Sequence, residues 1–231
     1  MNGRSVHVSA IPSRESLACH ASPAQHAGMK NKPTLPDPSR TPDASRTDTS
    51  LAGQVLIAMP GLPDPEFANS VVYLCAHSGE GAMGIVVNRP IAAPSFADLL
   101  AQLEVAPAPP AREIGLCKGG PVDNARGFVL HTADWTGDDS LRVDSEVALT
   151  ASLDILKAIA CGGGPRSCIL ALGYANWGPG QLDAEMRQNS WLNANPDINL
   201  LFDDDHTSKW TRAMAKLNIT PSRLSSAAGN A

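Results

Sequence analysis

Four short stretches of the chain carry side chains able to bind or to do chemistry. The first is GYANWGPGQLDAEMRQNSWL, Gly173 to Leu192, in which Trp177 and Trp191 flank an amide and a carboxylate. Gly178, Pro179 and Gln181 fall at the N-cap, N1 and N3 positions of a predicted helix. Proline at N1 gives up only an N–H that would be orphaned there, and a glutamine at N3 can reach back to the N-cap N–H. Gln181, Glu185 and Gln188 then recur on one face, so the tryptophans flank either a pocket lined by a polar stripe or a solvated face with aromatic anchors. The second stretch is Asn88-Arg89-Pro90 at the end of a strand, where a guanidinium at a sheet mouth could grip a carboxylate or phosphate. The third is KGGPVDNARG, Lys118 to Gly127. Its Gly119-Gly120 turn is either an anion-binding nest of backbone N–H groups or a strand connector needing unusual backbone angles. The fourth is His131, at the end of a strand, expected as a hydrogen-bonded rim histidine.

Other arrangements fail on chemistry. GEGAMG, Gly79 to Gly84, has the glycine spacing of a dinucleotide fingerprint, but the β-branched IVV follows it where a helix should open, so it reads as a hairpin turn. Cys75 and His77 share a strand face, yet no third group orients them as a nucleophile pair, and a core thiol beside an ordinary histidine is expected. His77, His131 and His206 have no ligand spacing, and the sequence holds no HExxH, GxSxG or Walker pattern. Asp203, Asp204 and Asp205 read as N-cap and first-turn charge for a last helix. No catalytic residue, cofactor or metal is expected.

Composition limits the partners. The 231 residues carry a net charge of −5, unevenly spread, since 1–50 hold six basic and four acidic residues and 51–231 hold twelve basic and nineteen acidic ones. An acidic globular part is a poor match for phosphate backbones, so direct nucleic-acid binding by it is not expected; only the basic tail could support a DNA-linked role. Five cysteines without CxxC spacing fit reduced thiols. With no apolar leader and no run of about 18 apolar residues, the chain is expected in the cytoplasm and not in a membrane.

The elements that must position these residues follow from hydropathy. Residues 1–50 are rich in Ser, Pro, Thr, Ala and Asp and are expected to be a disordered N-terminal extension, with Met29 an alternative start. From Leu51 onward, strands are predicted at Gln54–Met59, Ser70–Ala76, within Gly81–Asn88, at Gly127–Thr132, within Leu141–Leu149, at Ser167–Ala175 and at Ile198–Phe202. Helices are predicted after Ser95, with Asp98 at N3 of a near-capping box, from Thr150 or Ser152 to about Ala160, after Gly178, and over about Thr207–Leu217. This order does not alternate regularly, which argues for α+β with a mixed or largely antiparallel sheet.

Taken in order, LAGQVLIAMPGLPDPEFANSVVYLC, GAMGIVVNRP, GGPVDNARGFVLHT, GYANWGPGQLDAE, NSWL and LSSAAGNA resemble the YqgE/AlgH family of uncharacterised bacterial proteins over about Leu51 to Ala231. The resemblance implies a single α+β domain, 51–231, with a barrel-like mixed sheet flanked by helices. Some members carry the label of transcriptional regulator, and the family brings no catalytic residues to carry over. Ala76, Asn176 and Asn230 stand where the family often has Glu, Gly and His. The expectation is a non-enzymatic binding or regulatory protein for an unknown protein or small-molecule ligand. The alternative is an enzyme acting on a small anionic substrate, its pocket drawn from Asn88, Arg89, Gly119, Gly120, His131, Trp177, Gln181 and Glu185.

Overall fold

Strands β1 (Val55–Ala58), β2 (Val71–Ser78) and β3 (Gly81–Val86) alternate between two apolar faces, as residues two apart on a strand must. Val55, Ile57, Val71, Tyr73 and Ile85 enter one core, whereas Leu56, Ala58, Val72, Leu74 and Val86 enter another on the opposite face. The computed structural model describes residues 50–62, 64–110 and 112–220; the expected N-terminal extension, Asn230 and the closing LSSAAGNA lie outside the described residues.

The remaining strands are β4 (Gly115–Lys118), β5 (Val122–Thr132), β6 (Ser140–Arg142), β7 (Val147–Thr150), β8 (Cys168–Trp177) and β9 (Trp191–Ala194). They form one sheet in the order β6-β7-β5-β8-β3-β2-β1-β9, antiparallel throughout, with β4 added parallel to β8. The sheet curls, and Tyr73 reaches across its interior to donate its hydroxyl to Asp144 Oδ2 at 2.6 Å, joining β2 to the β6–β7 hairpin. Asp144 Oδ1 meanwhile accepts the N–H groups of Glu146 and Val147 and holds that hairpin.

Helices cover both faces. Helices α1 (Phe96–Gln102) and α2 (Leu153–Ala160) pack their apolar sides on Leu116, Val129 and Leu170, and Ser95 and Asp98 complete the capping box at the start of α1. Helix α3 (Gln181–Arg187) sends Leu182 against the outer face of β1–β3. Helices α4 (Ile198–Phe202) and α5 (Lys209–Lys216) bring Leu200, Leu201, Ala213 and Met214 into the interior core of the curled sheet. The architecture is α+β with a barrel-like sheet flanked by helices.

Ile198–Phe202, expected as a strand, is α4. A five-residue apolar run has no period that separates strand from helix; the deciding contact is the Asp197 carboxylate accepting Leu200 N–H at 2.6 Å as an N-cap. Leu141–Leu149, expected to hold one strand, is the β6–β7 hairpin, and the short strands β4 and β9 have no signal of their own in the sequence.

Strand β8 changes face midway. Ile169 and Ala171 point into the interior core, as does Tyr174, while Ala175 and Trp177 point out, so the alternation slips between 171 and 174. Gly173 makes the slip with φ +74°, a left-handed conformation that costs other residues free energy. A Cβ there would lie 2.8 Å from both Gly120 O and Val122 O and 2.9 Å from Asn124 Oδ1. Gly173→Ala is therefore expected to lower stability by at least about 2 kcal/mol in urea unfolding. Gly115→Ala should be nearly neutral, since a Cβ at Gly115 meets nothing within 4 Å.

Candidate functional site

The predicted site residues do not form one cleft. Gly119 and Gly120 are buried where the end of β4 crosses β8, and a Cβ on either would collide with the Gly173 and Tyr174 backbone. Gly119 donates its N–H to Leu172 O and accepts from Val86 N–H, both at 2.8 Å, which links β8 to β3. Of the two readings of this turn, the strand connector is the one the structure shows.

Trp177, Gln181 and Glu185 do meet, and they satisfy one another. Glu185 Oε2 accepts the indole N–H of Trp177 at 2.9 Å and of Trp191 at 2.8 Å, while Oε1 accepts from Gln181 Nε2 at 2.8 Å. Gln181 Oε1 in turn accepts Gly178 N–H at 3.0 Å, the reach-back expected from the sequence. The helix itself begins later than expected, at Gln181. Gly180 adopts φ 67°, ψ 0°, and Gln181 N–H bonds Gly178 O, so Gly178-Pro179-Gly180-Gln181 forms a type II turn with glycine at its positive-φ position. Phe67 packs edge-on to Trp191 and stacks on Trp177. A carboxylate whose two oxygens take three donors, under two buried tryptophans, anchors α3 to β8 and β9.

His131 is fully buried. Its Nδ1 faces Thr132 O at 2.9 Å and so must carry the proton, leaving Nε2 to accept from Thr150 Oγ1 at 2.9 Å. With the Thr150 hydroxyl proton spent, Ser140 donates to Thr150 Oγ1 at 2.7 Å and accepts Gly137 N–H at 3.0 Å. Every member of this chain is satisfied. Burial holds the imidazole's pKa below its ordinary value, opposed by the Thr132 carbonyl and Asp134. Cys75 is likewise a core thiol, its pKa pushed up by burial, while His77 Nδ1 accepts Leu51 N–H at 3.1 Å and Nε2 lies 3.6 Å from Asp183.

Asn88 and Arg89 belong to a different place. Asn88 clips the start of β2, accepting Val71 N–H at 2.8 Å and donating to Asn69 O at 2.9 Å. Arg89 donates Nη2 to Ala68 O at 2.8 Å. Together with Ala68, Asn69, His206, Thr207, Trp210 and Thr211 they line a groove of about 450 Å³, a volume in the range of small-ligand sites. Trp210 is pinned by its indole N–H on Ala58 O at 2.8 Å. His206 Nδ1 lies 3.4 Å from Val87 O, leaving Nε2 as the ring's uncommitted polar atom.

The buried ammonium of Lys209, which hydropathy alone would place at the surface, sits behind this groove. It donates to Leu201 O at 2.8 Å and Val87 O at 3.2 Å, with Asp203 at 3.9 Å. Burial pushes its pKa down and Asp203 opposes the shift. Asp203 is held below the usual carboxylate range chiefly by its two-armed pair with Arg212, at 2.6 and 2.8 Å. The acidic run thus serves structure, and Asp205 accepts from Thr207 and Ser208 at the turn into α5. Among the described residues no group of three or more His, Cys, Asp or Glu side chains is placed to hold a metal ion, and no helix is long and apolar enough to cross a membrane.

Comparison with known proteins places this geometry. A family model described as AlgH-like matches residues 55–222. A UPF0301 protein of Gluconobacter oxydans is 50% identical over 186 residues, covering 80% of this chain and all of the relative. A UPF0301 protein of Methylocella silvestris is 53% identical over 189 residues, covering 78% of this chain and 92% of its own. The solution structure of the AlgH protein from Pseudomonas aeruginosa superposes with a TM-score of 0.65 at 42% identity, covering 80% of this chain and 98% of that one. A crystal structure from Corynebacterium diphtheriae, at 20% identity and a TM-score of 0.61 over 75% of this chain and 90% of that one, shares the fold.

Two outcomes follow. Glu185→Ala should cost about 2–4 kcal/mol by stranding two buried indole donors, and Glu185→Gln less than half of that, both read by urea unfolding. For His131 the folded state resists a proton that the unfolded chain accepts near pH 6.5. Its contribution is therefore complete above about pH 6.5 and is lost as pH falls through the lower folded value. Unfolding midpoints measured from pH 7.5 to 5.5 should drop less in His131→Gln than in the native chain.

Proposed function

The chain belongs to the AlgH-like family, and on that footing we propose that it is a non-enzymatic, cytoplasmic binding protein whose ligand is a small anion held in the Arg89 groove. The observation that carries this reading is the state of Arg89. One arm of its guanidinium is fixed on Ala68 O, so the planar group is oriented; its remaining donors make no hydrogen bond among the described residues, and Glu66 feels its charge without a direct contact. An oriented guanidinium recognises carboxylate or phosphate at little entropic cost.

The other polar groups support binding over catalysis. Glu185 and His131 have every acceptor and donor engaged in holding the fold. Among the described residues the groove's lining holds one imidazole and no carboxylate or thiol, and the neighbouring Asp205 and Glu66 carboxylates already accept from Thr207 and Lys118. An apolar protein–protein surface is less well supported, because Leu141 is the one large hydrophobic side chain exposed among the described residues. A regulatory role would then consist in reporting ligand occupancy, with α5, which contributes Trp210 and Thr211, as the element that senses it.

Thermal unfolding of the full chain with inorganic phosphate, citrate and glucose 6-phosphate tests this. A bound anion at about 100 times its dissociation constant should add about 2.7 kcal/mol of stability. Arg89→Ala and His206→Asn should each abolish most of that gain, and Lys157→Ala, at an exposed side chain of α2, should leave it intact. No stabilisation by any of the three anions, or a gain that both groove variants retain, would refute the reading.

A further inference from the structure

A second cavity, of about 490 Å³, opens where β5 ends and the β6–β7 hairpin, the start of β8 and Ile198 of α4 come together. Its charged side chains are Asp134, Glu146 and Arg166. Asp134 is committed. It accepts from Thr132 Oγ1 at 2.5 Å, and from Arg166 N–H at 3.1 Å and Arg166 Nε at 3.2 Å. The Thr132 and Arg166 bonds outweigh burial and keep its carboxyl below the ordinary carboxylate range. The consequence for Arg166 is geometric. Backbone and Nε are both fixed on one carboxylate, so the guanidinium is held in place although its side chain is 81% exposed. Its two Nη groups make no hydrogen bond among the described residues.

The opposite wall is also fixed. Glu146 is held through its backbone, its N–H on Asp144 Oδ1 at 2.7 Å and its carbonyl accepting Ala133 N–H at 2.8 Å. Its carboxylate forms no hydrogen bond or ion pair among the described residues, with Arg166 included. The cavity therefore presents an anchored guanidinium edge and an unpaired carboxylate that share a lining without contacting each other. Ser145 and Ser167 line the cavity with them, and Ile198 adds an apolar residue.

We propose that this cavity binds an amino-acid-sized zwitterion. The ligand ammonium would face Glu146, its carboxylate would bridge the Nη pair of Arg166, and its side chain would lie on Ile198. Separated opposite charges on fixed backbone match the two ends of an α-amino acid, whereas a plain cation or anion would satisfy one wall and leave the other unpaired. The proposal is independent of the Arg89 groove, which shares no lining residue with it.

The test is amide NMR of the full chain at neutral pH with L-leucine, 3-methylbutylamine and 4-methylpentanoate, the last two each lacking one charged end. L-Leucine should move the amides of Thr132, Asp134, Ser145 and Ser167 in a saturable way. Each one-ended analogue should bind about tenfold more weakly or worse, as should L-leucine to Glu146→Gln and to Arg166→Ala. Glu146→Gln alters only an exposed side-chain end, whereas Arg166→Ala also gives up the Nε bond to Asp134, and an unchanged melting temperature would show that the loss is one of binding. The amine matching L-leucine, the acid matching it, or an absence of saturable shifts at this cavity would each overturn the proposal. Shifts confined to Asn88, Arg89 and His206 would overturn it too, while supporting the separate groove.

Discussion

The fold depends on three glycines at which two backbones cross. Gly119 and Gly120 press against Gly173 and Tyr174 so closely that no Cβ fits at any of the three. At this crossing the alternation of β8 slips by one residue, which lets a single strand serve two halves of the sheet. Its first part pairs with β4 and β5 and sends Leu170 under α1 and α2. Its last part pairs with β3 and sends Trp177 under α3. Without the slip, Trp177 would point into the interior core, where Tyr174 already packs edge-on to Phe128. The Glu185 clasp, and with it the placement of α3, is downstream of that geometry.

The same logic separates the polar groups that hold the molecule from those able to meet a ligand. Hydrogen bonding inside a protein is expensive to leave incomplete, so a buried polar group with all partners present is most simply a structural one. His131 meets that description, and the half-buried Glu185 and Asn88 are likewise engaged in holding neighbouring segments together. Arg89, Arg166 and Glu146 do not: each is fixed at one end and uncommitted at the other. The α4–α5 segment contributes to both cavities, Ile198 to one and His206, Thr207, Trp210 and Thr211 to the other.

Much of this was legible in the sequence, and the residues that were not have physical reasons. The α+β class, the hairpin at Gly79–Gly84 and the capping box at Ser95 follow from local rules that the structure obeys. The Gln181 reach to Gly178 was legible for the same reason, although the helix starts at Gln181, because Gly180 is free to take positive φ and prolong the turn. The candidate site was legible only in pieces. Asn88 and Arg89 line a groove, but its other wall comes from residues more than a hundred positions away, and no spacing announces that. Glu185 was singled out for a polar stripe that proves to be a clasp, since the donors of Trp177 and Trp191 converge only after β8 and β9 are placed. Asp134, Glu146 and Arg166 carry no pattern at all; they line one cavity because β5, β7 and β8 are neighbours.

Lys209 shows most directly how tertiary energetics override local character. Leaving an ammonium in a dry core costs several kcal/mol. The segment that carries it buries Leu200, Leu201 and Met214, each contributing about 1.5–3 kcal/mol. Apolar burial thus exceeds the desolvation cost, and the carbonyls of Leu201 and Val87 reduce that cost further. Val87 directly precedes Asn88 and Arg89, and its carbonyl is shared by Lys209 Nζ and His206 Nδ1. The contact that seats the helical plug in the curled sheet therefore also fixes the backbone from which Arg89 projects. A groove built on that junction has its cation positioned by the core packing itself, and a ligand held there would bear on the plug and the sheet together.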